Sequence, residues 1–200
     1  MRDTPAADRI KFLRGLRVIR RFRPDPVPQE VVDDVLEVAR WTGSSANRQP
    51  WELILVRDRE RMDALSRIGD SPGLVPLADA ALVLVPVLTR ENAELDAGRL
   101  LERIMLAAAA HGVGASVAGF GSAIPEAKEL LRVPDRHGLR VAVALGYPAD
   151  ERARLVSVER DVDTRLPLGN LPVGRKPLSR LVHFERYGSG PATEPGPTVS

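Results

Sequence analysis

The stretch from Leu95 to His111 constrains this chain more than any other. Its apolar residues fall at helical spacing, and Gly112 supplies a C-terminal stop. From Ile104 to Ala110 it reads Ile-Met-Leu-Ala-Ala-Ala-Ala, apolar on every side. A helix of that kind is expected to be covered all round. Two hundred residues make one domain with a sizeable core and little left over. The cover is therefore sought in a second copy of the chain, the alternative being a central helix within a monomer.

Composition narrows the chemistry. The chain has no cysteine, which removes disulfides, thiolate metal sites, Fe–S clusters and cysteine nucleophiles together. His111, His137 and His183 are scattered, without the paired spacing of a metal site. There is no GxxxxGK[ST] loop and no GxSxG elbow, and Ile124 stands where a dinucleotide fingerprint beginning at Gly119 needs its third glycine. With no evident acid, base or nucleophile, the composition fits an enzyme whose cofactor carries the chemistry. The polar start at Met1 lacks an apolar leader core, and the apolar run from Ala78 to Leu88 is far short of the ~20 residues of a membrane span. A cytoplasmic protein is expected.

The net charge is +2, yet basic residues crowd the stretch from Arg2 to Arg23. Such an arm can bind nucleic acid or hold a single phosphate. Only Phe12 and Phe22 interleave it, so stacking platforms for nucleic acid are missing.

The pattern along the chain predicts a helix over Thr4 to Leu16 with Thr4 as cap and Pro5 in its first turn. An extended, proline-punctuated segment follows, then a helix opened by Pro28 and ending near Trp41. Leu53 to Val56 is expected to be a short buried strand and Asp58 to Ile68 a helix. Ala80 to Leu88 is expected to be a strand with Pro86 at a sheet edge or a bulge. Leu139 to Leu145 alternates as a strand, with Val141 and Val143 on one face and Ala142 and Ala144 on the other. Residues 1–187 are expected to form one domain, and the tail 188–200, with almost nothing to bury, to be disordered.

Three separated stretches resemble the nitroreductase-like flavoprotein family. They are Arg17-Val-Ile-Arg-Arg-Phe22 with Pro26-Val-Pro28; Gly43-Ser-Ser-Ala-Asn-Arg-Gln-Pro-Trp51; and a second half with Asp96-Ala-Gly98, Gly112-Val-Gly114, Leu145-Gly-Tyr-Pro148 and Arg175-Lys-Pro-Leu178. The second is the most specific, because Ser, Asn, Gln, Pro and Trp stand at fixed spacing directly before a strand. The resemblance spans Leu13 to Tyr187 and implies an α+β fold. Its central, mainly antiparallel sheet is flanked by helices, in an intertwined homodimer with FMN at the subunit interface. It implies an NAD(P)H-dependent oxidoreductase that passes two electrons to a small nitroaromatic or quinone-type acceptor. A flavin-binding homologue without turnover is the alternative.

The resemblance also implies roles for particular residues. Arg17, Arg20 and Arg175 are candidate ligands of the FMN phosphate and ribityl chain, since a guanidinium fork matches a phosphate in charge and shape. A solvated surface charge is the other reading of Arg20. Ser44, Ser45, Asn47 and Gln49 are candidate flavin contacts from the partner chain, and Arg48 is a candidate near the pyrimidine ring. Ala118 and Gly119 correspond to the loop beside the flavin N5, the other reading being an ordinary turn. Leu16 and Val18 stand where the family has arginine and serine. Losing one charge-assisted contact and one hydroxyl is expected to cost roughly 2–4 kcal/mol, or about 30- to 1,000-fold in affinity.

Overall fold

The structure is a computed structural model that describes residues 5–70, 72–149, 156–157 and 174–189. The chain divides into two compact units, Met1–Glu151 and Arg152–Ser200, each described by itself. Thr4 and the tail beyond Ser189 lie outside the described residues.

In the first unit the opening helix α1 is Ala6–Gly15, and Pro5, not Thr4, occupies its cap position, with no side-chain cap bond. None of its residues is buried: Ile10, Phe12 and Leu13 are all exposed. Helix α2, Gln29–Arg40, starts behind Pro28 and buries Val31, Val32, Val35 and Ala39, the stripe that its 3.6-residue period predicts.

Strand β1, Trp51–Val56, is longer than expected and is not a buried strand: it lies at one edge of the sheet and only Val56 is buried. Helix α3, Arg59–Arg67, is capped by Asp58, whose side chain accepts from the Arg61 N–H. After the short helix α4, Pro76–Asp79, comes strand β2, Leu82–Leu88, in which every residue is buried.

Helix α5, Glu94–Ala110, ends on His111 and on Gly112 at φ +71, the left-handed turn glycine permits. Strand β3, Gly114–Gly119, and helix α6, Ile124–Leu131, follow, then β4, Gly138–Leu139, and β5, Val141–Gly146.

The sheet runs β1-β2-β5-β3, with β4 also on β2, and every pairing within it is antiparallel. Pro86 therefore sits inside a central strand, which no edge explains. The register explains it. Leu84 faces Val143 but Val87 faces Leu139, so three residues of the β4–β5 segment oppose two of β2. Pro86 falls in that bulge, where a ladder hydrogen bond is already interrupted.

Helices cover both faces. Ala142 and Ala144 pack with Met62, Leu65, Leu77 and Ala127 on one side; Val143 and Leu145 pack with Val32, Val35, Leu100 and Ile104 on the other. The alternation along β5 is thus as the period of two requires.

Within one chain α5 is not covered all round. Ile104, Met105, Ala107 and Ala108 are buried, while Leu106 and Ala109 are half-buried and Ala110 is exposed.

In the second unit, Val156–Ser157 (β6) and Gly174–Arg175 (β7) form a short parallel ladder, followed by a 3₁₀ turn at Leu178–Arg180. No helix among the described residues is long and apolar enough to cross a membrane.

Candidate functional site

Two groups of the residues singled out from sequence lie at the same end of the sheet, on its two outer strands β1 and β3. The turn 43–50 leads directly into Trp51, which is paired with Leu88 at the C-terminal end of β2, and the Thr89 N–H donates to Pro50 O at 3.1 Å. Gly119 is paired with Val141, at the start of β5, at the same end. Gly119 is exposed, and a Cβ built on it would meet nothing within 4 Å. Ala118, its neighbour, points to the opposite face and is buried. Of that pair, only Gly119 presents an open surface.

The turn itself is tightly organised. Ser44 Oγ accepts the Gln49 N–H at 2.8 Å, Ser44 O accepts the Asn47 N–H at 3.0 Å, and Gln49 Nε2 donates to Asn47 O at 3.2 Å. Ala46, Asn47 and Gln49 all have positive φ, at 49°, 53° and 47°. Three non-glycine residues in the left-handed region within four positions make a strained backbone, the kind that concentrates at functional sites. Ser45, Asn47 and Gln49 are exposed and Ser44 is half-buried.

A residue that sequence reasoning quoted without assigning a role anchors this turn. Asp96, in the first turn of α5, is buried, and its two carboxylate oxygens lie 3.2 and 3.3 Å from the Ser45 nitrogen. The local signal, an acid near a helix N-terminus, reads as a complement to the helix dipole. Its actual partner is 51 positions away.

The arginine arm lies elsewhere. The Ile19 N–H donates to Ala115 O at 2.8 Å, Val18 forms a parallel bridge with Ala115, and Phe22 an antiparallel one with Pro148. These contacts fall at the N-terminal end of β3 and the C-terminal end of β5. That is the end of the sheet opposite to Gly119 and the turn. Four residue steps separate Ala115 from Gly119, about 13 Å along a strand.

Arg17 and Arg20 differ. Arg17 Nη1 donates to Arg14 O at 2.7 Å and also reaches Leu16 O, so its guanidinium closes the C-terminal end of α1. Arg20 is exposed and has no hydrogen-bond or ion-pair partner among the described residues. Arg175 lies in the ladder of the second unit.

Residues 13–89 and 77–147 match the model of the Nitroreductase family. The chain belongs to that family. A protein of Archaeoglobus fulgidus named putative NADH dehydrogenase/NAD(P)H nitroreductase is 30% identical over 151 residues, covering 72% of this chain and 87% of that one. An NADH dehydrogenase of Thermus thermophilus is 30% identical over 173 residues, covering 68% of this chain and 84% of its own. Among solved structures, an FMN-dependent nitroreductase from Clostridium difficile R20291 superposes with a TM-score of 0.71. Identity to it is 24%, with coverage of 89% of this chain and 99% of that one. The α+β nitroreductase fold expected from the sequence is the fold observed, and this family member is an oxidoreductase.

Proposed function

We propose that the protein is an FMN-dependent NAD(P)H oxidoreductase working as a homodimer, with residues 1–187 as its working domain and a nitroaromatic or quinone-type compound as electron acceptor. The observation that carries the reading is the open surface over Gly119, at the same end of the sheet as the strained turn 44–49. A planar ring needs a place where backbone can be approached without a side chain in the way. When bound, FMN supplies a two-electron carrier between a nicotinamide and the acceptor. Ser44, Ser45, Asn47 and Gln49 offer small polar groups to the ring edge. The backbone at Ala118 and Gly119 would be the part of the chain that receives its centre. Arg20, unpartnered among the described residues, has its donors available for the phosphate. Arg17 joins it by giving up its contacts with Arg14 O and Leu16 O, and Arg175 joins on the family resemblance alone.

Each site is composed from two chains. The arm with Arg20 and the turn with Asn47 lie at opposite ends of one sheet, which supports the arm of one chain meeting the turn of its partner. A helix α1 that buries none of its residues, and an α5 left partly uncovered, support the same reading. The fixed cations would stabilise negative charge gained on reduction, and the confined surface would hold each reactant within reach.

The test is the visible spectrum and a calorimetric titration. The purified protein is expected to be yellow, or to become so with FMN, and to bind FAD less well, because its adenylate extension crowds a terminal phosphate site. No binding of FMN at high micromolar concentration contradicts the reading.

A further inference from the structure

We propose that Asp96 is a positioning residue that holds the Ser44–Asn47 turn in its cofactor-facing shape, an assignment that rests on reading that turn as a flavin contact. Among the described residues Asp96 is the one charged side chain in the buried set. Both its oxygens share a single backbone donor, the Ser45 N–H at 3.2 and 3.3 Å. Its counter-charge, Arg99 Nη1, is 3.8 Å away and belongs to a half-exposed side chain. A carboxylate can accept about four hydrogen bonds. The hydrogen bonding of Asp96 is concentrated on one nitrogen. What Asp96 does provide is a fixed position for one backbone atom.

That atom is placed where it matters. Ser45 immediately precedes Ala46 and Asn47, whose positive φ angles persist only where the surroundings over-determine them. The hydrogen bond from Gln49 N–H to Ser44 Oγ ties the turn to itself, whereas the bond to Asp96 ties it to α5. The same helix reaches the turn a second time. Arg99 Nη2 lies 2.6 Å from where a Cβ on Gly43 would stand, so the guanidinium occupies the space that glycine leaves. Asp96 and Arg99, one helical turn apart, thus reach Gly43 and Ser45 from one face of α5. Removing the carboxylate frees the Ser45 N–H and lets the three strained residues relax, which withdraws Asn47 from the ring. Because the carboxylate acts through the turn and touches no reactant, its loss falls on cofactor binding.

Asp96→Ala, Asp96→Asn and Asn47→Ala are compared, with Ile104→Val on the same helix as a control for general loosening. Amide exchange of the segment 43–50 is read in the flavin-free protein, and FMN and riboflavin affinities by fluorescence quenching. Asp96→Ala is expected to speed exchange at Ser45 and to weaken FMN and riboflavin alike by about tenfold, the scale of one lost hydrogen bond to a charged group. Asp96→Asn, which keeps an acceptor oxygen, recovers most of both effects and serves if the alanine variant does not fold. Ile104→Val leaves affinity unchanged. Unchanged exchange in both Asp96 variants overturns the clamp. Faster exchange with affinity lost only in Asn47→Ala overturns the positioning role. Faster exchange with no affinity change in either Asp96→Ala or Asn47→Ala overturns the proposal through the reading beneath it, since the turn then does not touch the flavin.

Discussion

Gly114 and Gly146 stand opposite one another across β3 and β5, and together they seat the arginine arm. A Cβ on Gly114 would come within 2.8 Å of Ile19 Cβ, and one on Gly146 within 3.0 Å of the Phe22 ring. Both side chains pack into the core on that face, and the arm between them carries Arg20 outward.

The first prediction concerns that seat. Gly114→Ala forces Ile19, a β-branched side chain with little rotamer freedom, off the sheet. Chemical denaturation is expected to show a loss of about 1–3 kcal/mol, the usual scale of overpacking. FMN affinity falls with it, because Arg20 moves with the arm. Unchanged stability would mean that the arm is not seated as described.

Much of this fold was legible in the sequence where the cause is local. The helical run Val31, Val32, Val35, Leu36 and Ala39, in which only Leu36 is left half-buried, and the stop at Gly112 each follow from residues within a turn of one another. What failed depended on distant partners. Edge placement leaves Trp51 and Leu53 half-exposed despite an apolar run, and nothing in that run says which strand lies at the edge. Of the two placements expected for Pro86, edge or bulge, the bulge is the one observed, made by a register shift at residues 140–142.

The site divides the same way. The turn from Gly43 to Trp51 could be found from its residue spacing, but its anchor Asp96 and the seat at Gly114 and Gly146 could not. Arg17 and Arg20, alike in sequence, differ in the structure because Arg17 Nη1 donates to Arg14 O at the end of α1.

Gly119 separates folding from binding. Its surroundings are open, so Gly119→Val is expected to change stability by less than about 0.5 kcal/mol, as for other surface substitutions. Bound flavin meets the added methyl groups, and affinity should fall by about 1–3 kcal/mol. Equal affinity in wild type and variant would place the ring elsewhere.

The proposed function gives Arg20 the phosphate. Arg20→Ala should weaken FMN by about 1.5–3 kcal/mol, the range for hydrogen bonds to charged groups. Riboflavin, which lacks the phosphate, should be nearly indifferent. Equal losses for both ligands in parallel titrations would show that the arginine acts on another part of the molecule.

At the C-terminal end of α2, Glu37 accepts from Arg40 and from the Trp41 indole N–H. The hydrogen bond from Arg40, and then that from Trp41, lower its pKa to about 2. A lowered carboxylate pKa stabilises the fold above the unfolded value, and that contribution fades as pH falls through the folded one. A carbon NMR titration of Glu37 should therefore find it still ionised at a pH of about 3.5, where an ordinary glutamate is mostly protonated. A midpoint near the ordinary value of 4.5 would show that the clasp does not form in solution.

The composite site is tested most directly by mixing two inactive variants. Arg20→Ala and Asn47→Ala are each expected to bind FMN poorly. In a mixed dimer, one site collects both substitutions and the other collects neither. Co-refolding equal amounts and measuring retained flavin should recover about a quarter of wild-type sites, by the statistics of a two-fold dimer. If both residues serve the same site from one chain, every site in the mixture carries a substitution. Flavin retention would then stay at the level of the separate variants, and the two-chain site would be contradicted.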